Sequence, residues 1–102
     1  MKLEKFTGAW CFSRPGLGGR QALNATGLVE GETLILAIEH RDTLLLKLQL
    51  KESVLIGNYY FEEDPETQAD NLIELNISES GTCLQGFPKG FANLEHWTFE
   101  RN

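Results

Sequence analysis

The chain has 102 residues and a formal net charge of -6. That length suits a single domain over 1–102, large enough for one core without staples. Its 41% apolar and 24% charged residues are ordinary for a globular protein. The negative balance argues against nucleic acid and anionic membrane as partners, since both need a basic face that releases counterions. No apolar run approaches the ~20 residues that span a bilayer.

Met1-Lys2-Leu3-Glu4-Lys5 has no apolar core and no small-residue cleavage site, so no signal peptide is read there and a cytoplasmic location is expected. Asn24-Ala25-Thr26 and Asn76-Ile77-Ser78 match the glycosylation pattern, which has no meaning without secretion. Cys11 and Cys83 are then read as thiols. A disulfide between them is the alternative, and it needs Cα atoms within about 7 Å.

Phe6 to Arg14 reads as a first strand, with Phe6, Trp10 and Phe12 on one face and Thr7, Ala9, Cys11 and Ser13 on the other. Arg14-Pro15-Gly16-Leu17-Gly18-Gly19-Arg20 reads as a loop. It is a poor phosphate cradle, because no Lys-Ser/Thr and no helix pattern follow it. Gln21 to Glu30 is a weaker strand in which Leu23, Ala25 and Gly27 alternate with Asn24, Thr26 and Leu28. Glu30-Gly31-Glu32 turns into a strand over Thr33–His40, and His40-Arg41-Asp42-Thr43 turns again.

Leu44–Lys51 has the clearest pattern. Leu44, Leu46, Leu48 and Leu50 alternate with Lys47, Gln49 and Lys51. Leucine favours helices, but helical spacing would put Lys47 and Lys51 on the apolar face, so period two decides for a strand. Val54–Phe61 is a strand apolar on both faces, with Gly57 read as a bulge or bend. Glu62 to Asp70 holds five carboxylates in an exposed loop. Its spacing is not that of a calcium loop, and an acidic docking edge is the secondary reading. Asn71–Ser78, Thr82–Phe87 and Leu94–Arg101 complete the set, the last with Trp97, Phe99 and Arg101 on one face.

These are about eight short strands with regular turn signals, which predicts an all-β domain: a single antiparallel up-and-down barrel, or alternatively a β-sandwich. A meander has two edges to hide. Pairing the first strand with the last hides both and would gather Trp10, Phe12, Trp97 and Phe99, with Arg101 close enough for a cation–π contact.

The Gly8-x-Trp10 pattern in the first strand, with Arg101 ending the last, resembles the signature of the calycin superfamily, which includes lipocalins, fatty-acid-binding proteins, avidins and small bacterial protease inhibitors. The likeness covers only about five residues at the two ends. It implies that Trp10 and Arg101, with Trp97 nearby, are structural closure residues rather than ligand contacts.

The expected function is a non-enzymatic binding protein with a lipocalin-like barrel, taking a small apolar ligand or a protein partner. The candidate lining residues are Leu36, Ile38, Leu46, Leu48, Tyr59, Tyr60 and Phe61, with a tyrosine hydroxyl as the best polar anchor. The competing view is that these side chains only fill the core. One alternative is an inhibitor or immunity-type protein acting through its loops. Another is a small calycin-like enzyme, for which His40 and His96 are the only histidines and neither has a nucleophile motif. No metal-ligand spacing and no cofactor motif is present, so no metal and no cofactor is expected.

Overall fold

The computed structural model describes residues 2–16, 19–39, 42–66, 71–89 and 96–101, apart from the side chains of 15, 16 and 19–21. A 3₁₀ turn at Leu3–Phe6 leads into eight strands: β1 Gly8–Gly16, β2 Gly19–Glu30, β3 Thr33–Ile38, β4 Leu44–Lys51, β5 Val54–Phe61, β6 Leu72–Ile77, β7 Cys83–Pro88 and β8 Trp97–Glu100. Each pairs antiparallel with the next, and β8 returns to β1. The sheet is therefore a closed up-and-down barrel and not a sandwich. Closure removes the free edges that a meander would expose.

Alternation fixes what faces inward. One row of register partners runs Gly27, Leu36, Leu46 and Tyr59 across β2 to β5. A second runs Ile77, Leu84, Phe99 and Phe12 across β6, β7, β8 and β1. Leu34, Leu36, Leu46, Leu48, Leu55, Leu75, Leu84, Trp97 and Phe99 are fully buried in the resulting core. No described helix is long and apolar enough to cross a membrane, which says nothing about strands.

Three local expectations change. Phe6 is buried, but from the 3₁₀ turn and not from the first strand. The glycine-rich stretch after Arg14 is strand where it is described: β1 and β2 stay paired through Pro15↔Arg20 to Gly16↔Gly19, while Leu17 and Gly18 lie outside the described residues. Gly57 makes no bulge, since the β4–β5 register is unbroken from Lys51↔Val54 to Leu44↔Phe61. Its missing side chain is explained by a close approach instead. A Cβ there would stand 1.8 Å from the Lys47 carbonyl oxygen.

The two ends of the barrel differ. At one end the 3₁₀ turn folds back beneath the strands. Trp10 Nε1 donates to the Phe6 carbonyl at 2.8 Å, and the Phe6 and Trp10 ring centroids are 6.4 Å apart. Gly27 makes room for this turn, because a Cβ on it would meet the Phe6 carbonyl oxygen at 2.2 Å. Arg101 lies over the turn. Its guanidinium carbon sits 4.2 Å from the Trp10 ring centroid. Its two terminal nitrogens donate to the carbonyls of Thr7, at 2.6 Å, and Lys5.

Trp97 does not join that end. The β1–β8 register pairs Cys11 with Glu100 and Ser13 with Thr98, so Trp97 lies toward the opposite end of the barrel from Trp10. There its ring meets Phe12 at 5.5 Å and Tyr59 at 5.2 Å. The expected gathering of both tryptophans at one place is therefore corrected. The closing seam itself is made by Phe12 and Phe99, 5.0 Å apart.

Candidate functional site

The end opposite the 3₁₀ turn carries a pocket of about 220 Å³. Phe12 and Arg14 come from β1, Leu23 from β2, Ile38 from β3, Leu44 from β4 and Phe61 from β5; Asp42 comes from the connection between β3 and β4. Inward parity places most of these residues. Arg14 follows Phe12 by two along β1, and Phe61 follows Tyr59 by two along β5. Near the core they would fill the barrel, but at the strand ends they leave space between them. Phe61 is 43% exposed although it faces inward, which places it on the rim.

The lining is chemically mixed. Phe12, Leu23, Ile38, Leu44 and Phe61 offer apolar walls, while Arg14 and Asp42 bring one charge of each sign. Such a site can desolvate an apolar body and leave a polar end near charged groups.

Of the seven lining residues expected from sequence, Ile38 and Phe61 reach this pocket. Leu36, Leu46 and Leu48 are core side chains with no exposure. Tyr59 also faces inward, and its hydroxyl donates to the Lys89 carbonyl. Burial raises its pKa above the ordinary phenol value. Tyr60 is a correction. It stands on the outer face of β5, where Lys47 Nζ lies 5.6 Å from its ring centroid. Phe12, Arg14, Leu23, Asp42 and Leu44 were not expected to line a site. Parity could have found Arg14 and Leu44, but nothing in the sequence marks Asp42.

The cysteines lie on the outer face and are free. Cys11 and Cys83 both pair with Glu100, one from each side of β8. Two strand spacings of about 4.8 Å put them beyond the roughly 7 Å reach of a disulfide. Burial, and then the Glu100 carboxylate, raise the Cys83 pKa above the ordinary thiol value. Cys11 lines a shallow outer groove of about 720 Å³ with Ala9, Ser13, Ala22 and Glu100.

Among the described residues, no group of three or more His, Cys, Asp or Glu side chains is placed to hold a metal ion. His96 stacks on Phe87 with ring centroids 4.7 Å apart. His40 and Arg41 lie outside the described residues, as do 67–70 of the acidic stretch and Leu94 and Glu95 of the expected last strand. No protein-family model matches the chain. No curated protein matches it either.

Proposed function

We propose that this chain is a non-enzymatic binding protein that takes a small, mainly apolar ligand with a polar end into the pocket at the mouth of its barrel. The observation that carries this reading is the pocket walled by Phe12, Leu23, Ile38, Leu44 and Phe61, with Arg14 and Asp42 beside them. The stack of Arg101 on Trp10 supports a calycin-like, lipocalin-like barrel, with its plug at the end away from the ligand.

The pocket limits the ligand. A space of 220 Å³ has room for roughly seven water-sized groups. Burying about five or six methylenes contributes about 4–5 kcal/mol, less the cost of association. Affinities of about millimolar or weaker follow.

The test is a methyl-resolved NMR titration with hexanol, hexanoate and hexylamine. At least one of the three should shift the Leu23, Ile38 and Leu44 methyls saturably. Leu23→Trp, which fills the pocket, should abolish the shift while the fold persists. The reading fails if none of the three moves those methyls, or if the folded Leu23→Trp variant binds as well as the parent.

A further inference from the structure

The outer face of β5 to β7 is not the polar surface expected of a barrel whose core is already full. Ile56, Leu72 and Phe87 point outward and are 39%, 47% and 51% exposed. Register brings them together. Ile56 pairs with Glu74, and Glu74 pairs with Phe87, so the three form one row across β5, β6 and β7. Leu72 lies two residues from Glu74 on the same face of β6. His96 extends the row by stacking on Phe87. The result is an apolar patch around one carboxylate.

Charge selects what can cover it. Glu74 sits among Ile56, Leu72 and Phe87. The exposed carboxylates Glu62, Glu63, Asp64 and Glu66 follow the end of β5 that leads toward Leu72. Lys47 lies over the Tyr60 ring, and Lys89 follows β7 near Leu72. A second copy docked about a two-fold axis at Glu74, the centre of the patch, would bring Glu74 against Glu74 in chains that each carry -6. An anionic membrane is repelled by the same charge. A cationic group flanked by apolar side chains meets both demands of this surface.

We propose that the outer face of β5–β7 docks a basic, amphipathic segment of a partner protein, with apolar anchors against Phe87, Leu72 and Ile56 and a cation at Glu74. This surface lies on the outside of the barrel, separate from the mouth pocket, and does not depend on a ligand there.

The probe is a short labelled peptide of alternating leucine and lysine, compared with its leucine/glutamate counterpart by fluorescence anisotropy. The leucine/lysine peptide should bind, weaken with added salt, and exceed its counterpart by about tenfold or more. Phe87→Ser and Leu72→Ser should each weaken binding severalfold. Glu74→Lys should reverse the preference between the two peptides. Glu30→Lys, at the far end of β2, makes the same change in net charge off the patch and should leave the preference unchanged. Circular dichroism confirms that each variant is folded. The proposal is overturned if Glu30→Lys acts as strongly as Glu74→Lys, since the attraction is then diffuse. It is also overturned if sedimentation velocity shows parent dimers that Phe87→Ser dissolves, since the face then belongs to a second copy.

Discussion

Arg101 is the most informative single position for stability. Its guanidinium stacks 4.2 Å from the Trp10 ring centroid and donates to the Thr7 carbonyl at 2.6 Å and to the Lys5 carbonyl. A charge-assisted hydrogen bond is worth about 1.5–3 kcal/mol, but Arg101 is only half-buried, so about 1 kcal/mol each is the appropriate scale. The cation–π contact adds about 0.5–1 kcal/mol at such exposure. Arg101→Ala should therefore cost about 3 kcal/mol, read as a lower urea midpoint at unchanged slope and a Tm lower by roughly 12 °C. Arg101→Lys keeps a cation but lacks the planar fork that reaches two carbonyls, and should cost about half as much. A double-mutant cycle with Trp10→Leu isolates the stacking part, expected at about 0.5–1 kcal/mol. Amide exchange at Thr7, whose N–H donates to the Glu4 carbonyl in the same turn, should speed up in Arg101→Ala. A loss under about 0.5 kcal/mol in Arg101→Ala would refute the reasoning, because three contacts to one side chain cannot all be idle.

Two further outcomes follow from the described geometry. Gly57→Ala places a Cβ 1.8 Å from the Lys47 carbonyl oxygen and 2.8 Å from its carbon, so β4 and β5 must part in mid-ladder. A loss of about 3 kcal/mol or more is expected by urea unfolding, and a neutral result would contradict that close approach. The raised Cys83 pKa bears on alkaline stability. The folded state holds the neutral thiol above its unfolded value, so the contribution is complete below the unfolded thiol pKa and is lost as pH rises through the folded one. Cys83→Ser should flatten the alkaline fall in Tm, leaving the part due to Tyr59, and Cys11 should be alkylated before Cys83 in the folded protein. Earlier alkylation of Cys83 would count against this assignment.

Much of the barrel was legible because period two is a strong signal when it is clean. Leu46–Lys51 alternates cleanly, and the strand runs from Leu44 to Lys51 as expected despite the helix preference of leucine. Val54–Phe61 is equally accurate in extent, but being apolar on both faces it gives no parity. That is why the sequence groups Tyr60 with Tyr59 although the two point to opposite sides. Glycine and proline misled at 14–20, where backbone pairing carried on through residues that usually interrupt it. Phe6 matched the parity of Trp10 by coincidence, since a 3₁₀ turn delivered it to the same interior. Parity tells which side chains face inward but not how deep they lie. Leu36, Leu46 and Leu48 are inward at the filled centre, whereas Ile38 and Phe61 are inward at the rim, where a pocket remains. Asp42 reaches the site only through the path of a turn, which no local pattern encodes.

Strand β8 is a short stave. Among the described residues its register spans Cys11 to Ser13 on β1 and Cys83 to Gly86 on β7, whereas β1 and β2 are zipped from Gly8 to Gly16. Because Cys11 and Cys83 flank it out of disulfide reach, no covalent hoop backs up this seam. Were the stave to detach, the barrel would become an open sheet with raw edges at β1 and β7, ready to recruit a strand from another molecule. Arg101, one residue beyond β8, ties it to the turn at the far end of the chain and is the rivet against that exchange.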